Sequence, residues 1–191
     1  MSKKRVVKVV VGFAIISMCM YLLYIQIKDD TASIEEKVSG FNYKAMDIDI
    51  EFVEDRYAIA FYYWGTPIHT KTGVVELKKT LFGWKIVKAE SDRLTYEDWP
   101  LEASIMAVYN ELSESVVLRG RVVVSDIGEI QIETKDGTRY EGSDIKITDN
   151  YLWYFITQED VDLTGATITV VSEDGKVEHK LFVDDEWNIH Y

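Results

Sequence analysis

The chain has 191 residues, 47% of them apolar and 28% charged, which suits one or two globular domains and excludes a wholly disordered chain. Its formal charge is −12, unevenly spread: five of the 21 Lys and Arg lie within positions 1–28, and all 33 Asp and Glu come after position 28. A body this acidic excludes nucleic acid as a partner, because phosphates are bound by Lys and Arg, and the single cysteine, Cys19, excludes an intrachain disulfide.

Residues 9–27 (VVVGFAIISMCMYLLYIQI) run for 19 positions without a charge. At ~1.5 Å per residue such a helix spans roughly 28 Å, about the hydrocarbon thickness of a bilayer. No polar stripe interrupts it, as one would in a soluble helix. Tyr21 and Tyr24 sit toward one end, where amphipathic rings favour the interface. Lys3, Lys4, Arg5 and Lys8 precede the run and Asp29 and Asp30 follow it. The positive-inside bias then predicts a single span with the N-terminus cytoplasmic and the body extracytoplasmic. Cleavage after Ala32 would put Asp30 where a small residue is required. A lipid-modified Cys19 would follow the bulky Met18, within an apolar run that continues past it. The expectation for residues 1–28 is therefore a cytoplasmic tip and an uncleaved transmembrane anchor in the cell membrane.

A second region, residues 29–96, reads as a small α+β subdomain. Ser33-Ile34-Glu35-Glu36 has the capping-box form, which predicts a short helix over residues 34–39 ending at Gly40. Met46, Ile48, Ile50 and Phe52 alternate with acids, as in a half-buried strand. Residues 56–64 (RYAIAFYYW) are apolar on both faces and predict a central strand. Residues 73–80 and 83–90 form a hairpin through Leu81-Phe82 with Gly83 in the turn.

The polar stretch 92–100 marks a boundary, and residues 97–191 read as an immunoglobulin-like β-sandwich. Residues 101–112 fit helical and strand spacing alike, and the strand is preferred. Six runs follow: 116–125, 129–135, 138–148, 152–158, 167–173 and 176–183, rich in Val, Ile, Thr and aromatics. Asp136-Gly137 and Asp174-Gly175 read as two-residue hairpin turns with positive φ at both positions. Trp153 is the one candidate for a core Trp, and no cysteine pair accompanies it.

No catalytic motif of the serine-elbow or zinc-protease kind occurs. His69, His179 and His190 are too scattered for metal spacing, and Glu159-Asp160-Val161-Asp162 with Gly165 is the nearest approach to a calcium loop. No cofactor is expected. Two clusters remain. Lys78, Lys79 and Lys85 are candidates for contact with an anionic surface, either lipid headgroups or a wall polyanion; edge-strand protection is the competing explanation. Tyr63, Trp64 and Trp84 are candidates for an aromatic interface, against burial in a core.

The run Gly-Val-Val-Glu-Leu-Lys-Lys-Thr-Leu-Phe-Gly-Trp-Lys (residues 73–85), followed by Leu-Arg-Gly-Arg-Val, Glu-Ile-Gln-Ile and Asp-Gly (within residues 118–137), resembles small membrane-anchored or lipoprotein ectodomains of Gram-positive bacteria. The resemblance implies an extracytoplasmic location and brings no catalytic residues with it. The expected function is a non-enzymatic binding or interaction module with a protein or cell-wall polymer as partner. A carboxylate-dependent hydrolase of envelope polymers and an accessory subunit of a membrane complex are the alternatives.

Overall fold

A computed structural model describes residues 10–21, 30–42, 45–54, 56–65, 69–95, 105–113, 115–122, 127–149, 151–158 and 161–190. Among the described residues the fold is mainly β, with three antiparallel sheets and two α-helices. The chain divides into two compact units, Met1–Tyr62 with Val74–Ala89 and Tyr63–Gly73 with Glu90–Tyr191.

The expected transmembrane helix is the main correction. Among the described residues no helix is long and apolar enough to cross a membrane. The described part of helix α1 is residues 10–21, and its twelve positions at ~1.5 Å cover roughly 18 Å of the ~30 Å a hydrocarbon core requires. Positions 9 and 22–27 of the expected span lie outside the described residues.

Helix α2 runs over Asp30–Phe41, longer at both ends than the capping-box pattern predicts, so Gly40 lies inside it. It buries Ile34 and Val38, one turn apart on a single face. Strands β1 (Asp47–Glu54), β2 (Tyr57–Gly65), β3 (His69–Thr80) and β4 (Gly83–Thr95) pair in chain order. Residues 58–62 of β2 are buried on both faces, as their apolar pattern predicts for a strand between two others.

The second unit carries two further sheets. One has the order β5 (Ile105–Glu111), β6 (Ser115–Val122), β10 (Leu152–Gln158), β9 (Ile145–Ile147). The other has the order β13 (Ile189–His190), β12 (Val177–Val183), β11 (Thr167–Ser172), β7 (Ile127–Glu133), β8 (Arg139–Tyr140). Alternate residues of both, among them Leu118, Ile132, Phe155, Ile168 and Leu181, share one apolar core around Trp153. The predicted strand 138–148 is split into β8 and β9 by a 3-10 turn at Gly142–Asp144, with Gly142 at φ 58. Strand β13 carries no pattern long enough to be predicted.

Trp153 fixes the register of the first of these sheets. It sits on β10 opposite Gly120 of β6, which faces Ala107 of β5 on its other side. The indole Nε1 reaches past Gly120 and donates to the Met106 carbonyl oxygen at 3.0 Å. A Cβ on Gly120 would lie 1.7 Å from that oxygen and 2.7 Å from Nε1, so only glycine lets the indole cross. The opposite face of β6 is buried too. Arg119, 3% exposed, donates through Nε to Asn110 Oδ1 at 2.7 Å and through the guanidinium to the Thr72 hydroxyl. Asn110 Nδ2 in turn donates to Glu90 Oε2 at 2.7 Å. The buried cation thus has hydrogen-bonding partners, which a charge out of water requires.

Gly120→Ala is expected to lower stability by about 3 kcal/mol, combining overpacking with loss of the indole hydrogen bond. Urea unfolding of the two forms measures it, and a cost below about 1 kcal/mol would show that the indole does not need the gap.

Candidate binding site

The sheet registers gather two hairpin tips at one end of the second unit. Glu133 of β7 and Phe182 of β12 both align with Thr167 of β11. The tip at residues 134–138 and the tip at residues 184–188 therefore emerge at the same end, and the tip at residues 172–176 at the other.

These tips share one backbone design. In each, the first residue's N–H donates to the fifth residue's carbonyl and the fourth residue's N–H donates to the first's carbonyl: 134–138, 148–152, 172–176 and 184–188. The fourth residue has positive φ: Gly137 (87°), Tyr151 (61°), Gly175 (83°) and Trp187 (64°). The two Asp-Gly turns thus have positive φ at glycine alone, correcting the two-residue turn expected from sequence. They are longer loops in which a left-handed glycine makes a bulge. Side chains lock them. Asp136 Oδ1 accepts the Thr134 hydroxyl and the Thr138 N–H, and Asp174 Oδ1 likewise accepts the Ser172 hydroxyl and the Lys176 N–H.

Thr134, Lys135, Asp136, Thr138 and Tyr140 form one wall of a cleft of about 430 Å³ whose other wall holds Val161 and Asp162. The Tyr140 ring leans on Phe155 of the core, with centroids 4.7 Å apart. Asp162 Oδ1 accepts the Thr164 N–H at 2.9 Å and its hydroxyl at 2.7 Å. Both carboxyls therefore lie below the usual carboxylate range: Asp136 because of the Thr134 hydroxyl first and the Thr138 N–H second, Asp162 because of Thr164. Lys135 adds attraction to Asp162, and its stem lies beside Gly165, where an added Cβ would come within 3.3 Å of Lys135 Cδ.

Next to this cleft Tyr109 stacks on Trp187, with centroids 4.1 Å apart and planes at 20°. Burial, followed by the charges of Glu111, Asp162 and Glu90, pushes the Tyr109 phenol up to about 12. The Trp187 turn is fastened by Asp184, whose Oδ1 accepts the Glu186 and Asn188 N–H groups at 2.8 Å each and whose Oδ2 meets His190 Nε2 at 2.6 Å. The His190 contact, then the Asn188 and Glu186 donors, hold the Asp184 carboxyl at about 2.

The residues singled out in the sequence lie elsewhere. Lys78 bonds the Tyr57 hydroxyl and sits over that ring, 4.7 Å from its centroid. Lys79 pairs with Asp30 at 2.6 Å and Lys85 is exposed. Trp84 is 3% exposed, with Nε1 donating to Asp30 Oδ1 at 2.9 Å and its ring edge-on to Phe52. Trp84 thus packs inside the first unit. Burial would raise the Asp30 carboxyl, but Lys79 and Trp84 outweigh it and hold it below its ordinary value. Tyr63 and Trp64 are half-buried, and Lys71 lies 6.0 Å from the Trp64 centroid. Among the described residues no group of three His, Cys, Asp or Glu could hold a metal ion; positions 159–160 of the calcium-like run lie outside them. Repeated Asp-Gly turns were the sequence signal nearest the cleft, whereas nothing in the sequence linked Tyr109 with Trp187. No family model, no curated protein and no solved structure matches this chain.

Two measurements test the tip. Tyr109→Ala should cost about 2 kcal/mol, because the stack is lost while the φ strain at Trp187 stays. Trp187→Gly should cost less, although it deletes the larger ring, because glycine removes that strain; the opposite ranking in thermal unfolding refutes the account. Asp184 gives stability that is fully present above its ordinary value of 3.8 and lost as pH falls toward about 2. The melting-temperature gap between the natural chain and Asp184→Asn should therefore close between those pH values, and a constant gap would count against the carboxylate's role.

Proposed function

We propose that the protein is a non-enzymatic binding module whose recognition surface is the cleft end of its second unit. The observation that carries this reading is the state of the two cleft carboxylates. A glycosidase-type acid must hold its proton near neutral pH, which requires a raised pKa. Asp136 and Asp162 are both driven the other way by the turns they fasten. The cleft therefore offers two fixed negative charges, the Lys135 ammonium, two Thr hydroxyls and the Tyr140 ring, a set that matches a polar, hydrogen-bonding ligand such as a wall polysaccharide or a protein loop.

The strand orders support an immunoglobulin-type sandwich for the second unit. Lettering its strands in sequence gives A-B-E-D for one sheet and, between the short edge strands β13 and C′, G-F-C for the other. In that architecture the usual recognition loops lie at the end that carries the F–G tip, residues 172–176, and the cleft lies at the opposite end, so the reading rests on the cleft's own side chains. Attachment to the cell membrane on its extracytoplasmic side rests on the break at position 28, where an apolar, basic N-terminal stretch gives way to an acidic body.

The test is retention of the full chain on purified, insoluble cell wall. Lys135→Ala should weaken retention roughly fivefold or more, a cost on the order of 1 kcal/mol, with melting little changed. Unchanged retention removes the cleft from recognition. Release of reducing ends by the natural chain, abolished in Asp162→Asn, would establish a hydrolase instead.

A further inference from the structure

We propose that the tip of the β3–β4 hairpin, in the first unit, inserts Leu81 and Phe82 into the surface of an anionic bilayer. Leu81 is 71% and Phe82 75% exposed, and outside α1 no described large apolar side chain is more exposed. The tip that displays them is rigid. The Thr80 hydroxyl donates to the Gly83 carbonyl at 2.7 Å and accepts the Phe82 N–H at 3.2 Å, and Gly83 takes φ +97 to close the turn. Both side chains are thus held in water by the fold.

Lysines stand behind the wedge on both strands. Lys78 on β3 is held against the Tyr57 ring, and Lys85 on β4 is exposed. Their position suits headgroup phosphates beside an inserted apolar pair.

A bilayer fits this tip better than a second copy of the chain. Two side chains bury on the order of 200–400 Å², whereas a stable protein interface buries about 1,200–2,000 Å². An interface of lipid needs no such complementary area, because it takes up each apolar group independently.

The proposal does not depend on the cleft, and its experiment reports on the first unit alone. In the full chain, Cys19→Ser with Phe82→Cys leaves one thiol for an environment-sensitive fluorophore. With vesicles of phosphatidylcholine and phosphatidylglycerol at 3:1, emission should shift to the blue and be quenched by nitroxide lipids. With phosphatidylcholine alone the shift should be much smaller. Adding Lys78→Gln and Lys85→Gln should weaken the response roughly fivefold per lysine. A label still quenched by aqueous iodide on bound anionic vesicles overturns the proposal. So does a blue shift that arises without lipid and grows with protein concentration, since that assigns the tip to contact between copies.

Discussion

One hydrogen bond organises the second unit: the Trp153 indole passing over Gly120 to the Met106 carbonyl. It joins β10 to β5 across the intervening β6, so three strands are tied by a side chain as well as by their ladders. The indole lies in the common core, where it meets residues of the facing sheet. Its donor must be satisfied because a buried, unpaired N–H costs about 1–3 kcal/mol. A shift of β6 by one residue would put a side chain in the indole's path, so the glycine selects register as well as making room.

With the sheets fixed, the ends of the molecule are set by short polar side chains. Asp136, Asp174 and Asp184 each accept hydrogen bonds from the backbone of their own turns. The acidic character of the chain is therefore partly architectural: these carboxylates hold the hairpins at angles the backbone alone would not keep. The same bonds favour their ionised forms and hold them below the ordinary carboxylate range. Turn chemistry thus limits what the cleft can do.

Much of the strand pattern was legible because alternation and β-branched runs report burial directly. Residues 56–64 read as a central strand and β2 is one; Trp153 read as a core Trp and has no exposure. Local signals failed where the outcome depended on partners distant in sequence. Trp84 looked like an interface residue, but its burial depends on Asp30, 54 positions away. The predicted strand over 138–148 breaks at Gly142, and composition alone did not mark that break. The span expected of residues 9–27 was read from hydropathy, whereas the helix described there, residues 10–21, is not long enough to cross a membrane. The cleft was invisible because its walls come from separate turns, each of which looks ordinary by itself.

Trp187 sets the order in which the chain can close. A bulky residue at φ +64 is strained in an isolated hairpin, and the stack that offsets this strain comes from Tyr109, which lies 78 positions earlier and on the other sheet. The C-terminal hairpin therefore cannot act as a local folding nucleus. It must wait until the two layers have met, and it then fastens the end of the sandwich like the last stitch in a seam.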